Sequence, residues 1–348
     1  MHGTIYEFEQ LPRVVHHPVV ARVRSPRAYA RPAGAGPLVG IVRNPRSHRN
    51  RGHEPEMADR PNILTATPRT RAELRQVLAE FAQRGIEYLA VDGGDGTVRD
   101  VLTSGAGIFA NRWPRIIVLP KGKTNALAVD LGLPNVWSLA EALDAVHGGR
   151  TIERRPLTVE LPDGEAPRLV HGFILGAGVF TLCTQAGQKA HRWGAFNSFA
   201  VALAILFGLL QALFGGGRNR WRSGTRMRLH DTESGNELTH SGRGERDRRF
   251  LLFASTLERF PLGFKPFGKL GSGLKLGLID APLRRLLLLL PLVFTGRTPR
   301  AFTRAGGHLL AAEAIELDLE DRFILDGEYF PAGRYRLRQG PRLRFVVP

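Results

Sequence analysis

Three glycines surround one carboxylate in Gly93-Gly94-Asp95-Gly96-Thr97. Glycines without a Cβ let backbone amides approach a phosphate closely, and a following helix N-terminus adds positive potential. Asp95 is then a candidate to hold Mg²⁺ or orient an attacking hydroxyl, and Thr97 to hydrogen-bond a phosphate oxygen. The bland alternative is a Gly-rich turn with an N-capping Asp. A second loop, Pro120-Lys121-Gly122-Lys123-Thr124-Asn125, ends like a phosphate-binding P-loop, but that motif needs a glycine where this chain has Ile117. What remains is a strand-to-helix turn with Lys123, Thr124 and Asn125 near a helix start, suited to an anion or to simple capping. Near the C-terminus Phe323-Ile324-Leu325 leads into Asp326-Gly327-Glu328, a second pair of carboxylates. Phosphoryl transfer to an alcohol needs such a pairing: a carboxylate to accept or orient the proton, and Mg²⁺ to manage phosphate charge. The Gly-x-Gly pairs starting at Gly34, Gly105, Gly176 and Gly271 all lack the third glycine of a dinucleotide fingerprint, which argues against a dinucleotide oxidoreductase. No Cys/His zinc spacing occurs, and no Ser/His/Asp arrangement can be recognised.

The elements around these loops explain why they would meet. Pro37–Arg43 reads as a buried strand that turns at Asn44-Pro45, and residues 46–60 are basic and irregular. Asn62–Ala66 is a second strand. Ala72, Leu74, Val77, Leu78 and Phe81 have helical spacing over 70–84, and Gly85 stops that helix. Tyr88–Val91 is a strand running into the glycine loop, a helix follows from Val98, and Ile116–Leu119 is a strand running into the Lys123 loop. Helices follow at Ala126 and at Leu139–Val146. This β-α-β-α-β order predicts an α/β domain with a mostly parallel sheet, whose ligands bind outside the carboxyl ends of the strands. After about residue 150 short β-rich runs appear at 155–161, 168–175, 225–230, 249–256 and 273–279, which predicts a second, largely antiparallel domain. We therefore expect an extension at 1–36 without stable order, an α/β domain at 37–150, and a β-rich domain at 151–348 whose last strands are free to return to the first.

The chain has 348 residues, enough for two cores, and 49 Lys+Arg against 32 Asp+Glu give a net charge of +17. Such a surface attracts anions: nucleotide phosphates, acidic lipid headgroups or nucleic acid. No aromatic-interleaved basic motif supports a nucleic-acid partner, and none is expected. Cys183 is the only cysteine, which excludes an intrachain disulfide and fits a reducing compartment. Residues 1–36 contain no apolar signal-peptide core. Ala195–Phe214 is nearly all apolar and is flanked by Lys189, His191 and Arg192 before it and Arg218, Arg220 and Arg222 after it. Three placements fit that pattern: a buried or groove-covering helix, a helix in the membrane interface, and a spanning helix. The interfacial placement leads to an expectation of a cytoplasmic protein held peripherally at the inner face of an anionic membrane. Leu286–Phe294 is too short to span and contains Pro291, so a local amphipathic or core element is expected there.

Four motifs in this order resemble the diacylglycerol kinase catalytic superfamily, in particular bacterial lipid kinases related to diacylglycerol, sphingosine and ceramide kinases. Asn44-Pro45-Arg46-Ser47 looks like its first nucleotide motif, Gly93–Thr97 its second, Pro120–Asn125 its third, and Asp326-Gly327-Glu328 its acidic motif. The resemblance runs from about Pro37 to Pro348. It implies an α/β nucleotide-binding domain and a β-sandwich-like domain carrying the inserted apolar helix, with ATP in the cleft between them. By the same resemblance Asn44, Pro45, Ser47, Gly93, Gly94, Asp95, Gly96, Thr97, Lys123, Thr124 and Asn125 bind ATP, and Thr67, at the end of the second strand, is a weaker candidate. Glu328 becomes the proton acceptor, Asp326 orients it or the metal, and Asp95 serves Mg²⁺ bound with ATP. The implied reaction transfers the γ-phosphate to a hydroxyl of a diacylglycerol-like or sphingoid/ceramide-like lipid; a homodimer is left open. Departures exist. His48 replaces a glycine, Lys123 a phosphate-facing Thr, Ala126 an Asp, and Ser272-Gly273-Leu274 stands where some members carry an acidic Mg²⁺ site. The altered third motif keeps a second function in view, a membrane-associated lipid- or nucleotide-binding protein that has lost turnover.

Overall fold

The computed structural model describes residues 10–14, 36–51, 60–162, 167–192 and 224–348. The expected apolar helix at 195–214 lies outside them. Among the described residues no helix is long and apolar enough to cross a membrane.

Strands β1 (Val39–Arg43), β2 (Ile63–Ala66), β3 (Tyr88–Gly93) and β4 (Arg115–Pro120) form the parallel part of the first sheet, in the order β2-β1-β3-β4. β1, β3 and β4 are short apolar runs buried on both faces, as crossover helices require, while the edge strand β2 is buried only at Ile63. Helix α1 (Arg71–Arg84) starts where the Thr70 hydroxyl accepts from the Glu73 amide and stops at Gly85, whose φ of 68° fits a left-handed cap. Helix α2 (Asp95–Phe109) leaves the glycine loop directly and is buried along almost its whole length. Helices α3 (Ala126–Leu131) and α4 (Leu139–Gly148) follow β4; Ser138 and Glu141 close a capping box on α4. The sheet is then completed from beyond residue 150. β5 (Thr151–Arg154) forms its far edge, and β18 (Leu343–Val346), at the other end of the chain, lies between β4 and β5.

The second domain is two antiparallel six-stranded sheets face to face. One contains β6 (Leu157–Glu160), β7 (Leu169–Gly172), β9 (Thr225–Asp231), β10 (Arg248–Arg249), β14 (Ala314–Leu319) and β17 (Gly333–Gln339). The other contains β8 (Ile174–Gly178), β11 (Leu251–Ser255), β12 (Leu274–Ile279), β13 (Gly307–Ala312), β15 (Phe323–Leu325) and β16 (Glu328–Phe330). Alternate residues such as Leu274, Leu276 and Leu278 on β12, and Ile315, Leu317 and Leu319 on β14, meet in one core. Helix α5 (Val179–Arg192) follows β8, and α6 (Arg284–Leu287), α7 (Leu290–Phe294) and α8 (Arg300–Arg304) cap one end of the second sheet. Leu286, Leu287, Val293 and Phe302 bury themselves there against Phe250 and Ile279, the local core element expected for 286–294.

One expectation needs correcting. Residues 10–14 are not a loose extension: Leu11 is buried in the sandwich core, and Val14 and Pro12 exchange backbone hydrogen bonds with Pro167 and Leu169. Leu11 and the valines after it, broken up by Pro, Arg and His, form no sustained period that would reveal that docking.

Candidate functional site

Three loops leave the carboxyl edge of the first sheet side by side, and backbone contacts join them. The Lys121 amide donates to the Gly93 carbonyl (3.0 Å) and the Arg49 amide to the Lys121 carbonyl (3.1 Å). Gly94 and Gly122 face each other so closely that a Cβ on Gly94 would lie 2.8 Å from the Gly122 Cα. No side chain fits between them. The Asp95 carboxylate completes the junction: its Oδ2 accepts from the Ala126 amide (2.9 Å) and its Oδ1 from the Leu127 amide (3.1 Å), at the start of α3. Burial pushes the Asp95 carboxyl above its ordinary pKa, and those amides oppose the rise.

The side chains expected to face ATP divide into two groups. Asn44, Thr97 and Asn125 hold the loops to one another. Asn44 Nδ2 donates to Thr97 Oγ1 (2.9 Å) while its Oδ1 accepts from the Arg46 amide (3.0 Å). Asn125 sits at a left-handed φ of 49° and folds its amide back on Gly122, accepting from its N–H (2.8 Å) and donating to its carbonyl (3.1 Å). Pro45, Lys123 and Thr124 are exposed on the loops. Ser47 is buried and its hydroxyl finds no protein partner. Thr67 directly follows the edge strand β2, with β1 between that strand and β3, so the structure does not bring it into the hydrogen-bonded cluster. A buried support beneath the loops escaped the sequence. Arg43 pairs with Asp92 (3.0 Å), and Asn50 Nδ2 lies within hydrogen-bond distance of the carbonyls of Asn44 and Asp92 and of Asp92 Oδ1. Asp92 is the penultimate residue of β3 and stands immediately before the glycine loop, which is the one signal that pointed to it.

Across the cleft the turn between β15 and β16 presents Asp326 and Glu328. Asp326 has a φ of 46°, uncommon for a residue with a side chain. Its carboxylate accepts from the amides of Phe173 (3.0 Å) and Ile174 (2.9 Å), which fixes the turn on β8. Burial first, and the nearby Asp95 charge second, push the Asp326 carboxyl up to about 7, against a pull downward from Arg99. Asp95 and Asp326, 231 residues apart in sequence by their numbers, therefore sense each other's charge across the cleft.

Arg99 connects the two sides. It has no solvent exposure, one turn into α2. Its guanidinium donates to Asp100 (2.9 Å) and to the Leu325 carbonyl (3.2 Å), and lies 3.7 Å from Glu328. Despite desolvation, the charges of Asp100, Glu328 and Asp326 hold its pKa above the ordinary value. On the same helix, the Thr103 hydroxyl accepts from the His171 amide on β7 (3.1 Å). A second junction lies at Asp130: it pairs with Arg154 (2.7 Å) and accepts from the amides of Glu258 and Arg259 (2.6 and 2.8 Å), while Arg154 also pairs with Glu258 (3.0 Å).

Glycine loops meeting at a helix start, an orphaned Ser47 hydroxyl and an exposed Lys123 fit an anionic, phosphate-bearing group. Among the described residues no cluster of three or more His, Cys, Asp or Glu is placed to hold a metal ion. Fold and site together set the glycine-rich loops of the first domain beside the acidic turn of the second. The family model of the diacylglycerol kinase catalytic domain matches residues 43–158. Over those residues, a third of the chain, the protein is similar to that catalytic domain. Three solved structures from Bacillus anthracis str. Sterne share the whole fold. A diacylglycerol kinase superposes with a TM-score of 0.58 at 14% identity, over 90% of this chain and 97% of the other. Two further structures, named as candidate diacylglycerol kinases, give TM-scores of 0.60 and 0.59, each at 15% identity with the same coverage. No curated protein matches the chain by sequence.

Proposed function

We propose that the protein is an ATP-dependent lipid kinase that transfers the γ-phosphate to a hydroxyl of a diacylglycerol-like or sphingoid/ceramide-like lipid. The observation that carries this is the meeting, through Arg99, of the glycine-loop junction at Asp95 with the acidic turn at Asp326 and Glu328. Phosphate-binding backbone on one wall and proton-accepting carboxylates on the other is the division of labour that phosphoryl transfer to an alcohol requires. The Gly93–Thr97 and Pro120–Asn125 loops, with Lys123 and Ser47, would bind the phosphates. Asp95 is the group for Mg²⁺ held with ATP, using lone pairs not directed at Ala126 and Leu127; bound there, the ion would stabilise charge on the transferring phosphoryl group. Arg99 keeps the acidic turn in register with α2.

Of the two carboxylates on the turn, Asp326 suits the proton acceptor better than Glu328. A base works best with a pKa near the operating pH, which Asp326 has at about 7 even with Arg99 nearby. Asp326→Asn should cut turnover by about 10²–10⁴-fold with ATP binding nearly intact, and Glu328→Gln by less. The assay is phosphate transfer from radiolabelled ATP to a total lipid extract, with mass identification of the product. A wild-type rate for Asp326→Asn with a collapsed rate for Glu328→Gln returns the role to Glu328. No labelled lipid from the wild-type protein, together with normal ATP binding, would favour a binding protein without turnover. Lys123 and Ala126 motivate that second function. Against it, the third loop is joined to Asp95 through the backbone amide of Ala126, which any side chain at that position supplies.

A further inference from the structure

Four of the large apolar side chains the molecule exposes belong to one segment of the second domain. Leu262 is 84% exposed, Leu288 69%, Phe264 47% and Phe294 38%. Leu262 stands at the tip of the Pro261–Gly263 turn with φ of 60°, a conformation that a Leu side chain disfavours. The surrounding fold holds an apolar side chain outward where a polar residue or glycine would sit more easily. The Phe264 and Phe294 rings touch, with centroids 5.5 Å apart, and the Lys265 amide donates to the Phe294 carbonyl (2.8 Å). The turn and the end of α7 therefore form one protruding unit, and Leu288 lies on the link between α6 and α7.

Along the chain the exposed charge of this unit has one sign once past Glu258, which is paired with Arg154. Every exposed charged residue from Arg259 to Arg304 is a Lys or Arg, among them Lys265, Lys269, Arg285, Arg297 and Arg300. The single carboxylate in that stretch, Asp280, is buried against Arg249 and His308. Apolar tips on a segment whose own exposed charges are all cationic match a surface that is apolar inside and anionic outside, which is a bilayer containing acidic phospholipid. A protein partner would need a broader face than four protruding side chains provide.

We propose that the Pro261–Phe264 turn and the Leu288–Phe294 segment dock on an anionic membrane, the apolar tips inserting below the headgroups and the surrounding Lys and Arg binding them. This concerns attachment, not turnover, and stands whether or not the kinase function holds. It also differs from attachment through residues 195–214, which the test separates. The full-length protein is sedimented with phosphatidylcholine vesicles and with vesicles in which about a third of that lipid is phosphatidylglycerol. Wild type should bind the anionic vesicles and lose binding in high salt. Leu262→Asp with Phe264→Asp should lower the partition coefficient at least about tenfold, and Lys265→Gln with Arg297→Gln about 25-fold, taking ~1 kcal/mol per cation. Unchanged partition in both variants, with unchanged melting temperatures, overturns the proposal and assigns attachment elsewhere. So does a wild-type dimer that the Asp variant splits while vesicle binding persists, since a second copy would then cover the patch. If the Asp variant melts early, Leu262→Trp replaces it. Lipids brominated on the acyl chain should quench the added indole above the background of the four native Trp, and no added quenching refutes insertion.

Discussion

The two walls of the cleft are built by different means. On the nucleotide side, three loops lie on adjacent strands and their closest approach is backbone on backbone, Lys121 to Gly93, Arg49 to Lys121 and Gly94 against Gly122, with the side chains of Asn44 and Asp95 added to it. On the acidic side, one short turn is held by side chains from remote places: the Asp326 carboxylate on the amides of 173 and 174, and Arg99 on the Leu325 carbonyl. Backbone closure tolerates changes of side chain but not the addition of a Cβ. Side-chain closure fails when one charge is removed. The two walls should therefore break under different substitutions.

The largest effect should come from Arg99→Met. It leaves Asp100 and the acidic turn without their shared cation inside the protein, and breaking a buried pair costs about 3–5 kcal/mol. Urea denaturation measures it; a loss under about 1 kcal/mol would mean that water already reaches Arg99. Next is a pH effect on the protein without nucleotide or Mg²⁺. The Asp326 pKa is raised, from 3.8 to about 7, so the folded state holds its proton over a window where the unfolded chain has released it. This contribution is fully present below pH 3.8 and is lost as pH rises through about 7, at no more than about 1.4 kcal/mol per pH unit. Denaturation curves at stepped pH should show a shallower slope across that window for Asp326→Asn than for wild type; equal slopes would place the perturbed proton on another group. Gly94→Ala comes third, at about 1–3 kcal/mol, because backbone meets backbone there and neither loop can yield without disturbing the other. Its ATP affinity should fall with its stability, and a normal affinity would show that the loops separate harmlessly. Smallest is Asn44→Ala, about 0.5–1.5 kcal/mol for the bond to Thr97, read by the same denaturation assay.

The same contrast explains what the sequence disclosed. The glycine loop could be read because its chemistry is local: three glycines, one carboxylate, a strand before and a helix after. The parallel strands and α1 could be read because their burial and caps are local too. Arg99 could not, since an Arg-Asp pair one turn into an apolar helix looks like a solvated face until Leu325 and Glu328 are brought beside it. The roles of Asn44 and Asn125 were also hidden. Each residue type suits a phosphate as well as a neighbouring loop, and only the positions of Thr97 and Gly122 decide between them. Among the late strands, Thr151–Arg154 and Leu343–Val346 are short, and their pairing across nearly two hundred residues leaves no periodic trace.

That pairing fixes an order of assembly. Residues 343–346 fill the position between β4 and β5, so the phosphate-side sheet stays open while the sandwich is synthesised and closes only when the last strand has left the ribosome. Until then the edge of β4 offers unpaired amides and carbonyls to any extended chain nearby. A nascent chain of this protein is thus open to wrong pairing at β4 until residues 343–346 emerge, after the strands of both sandwich sheets.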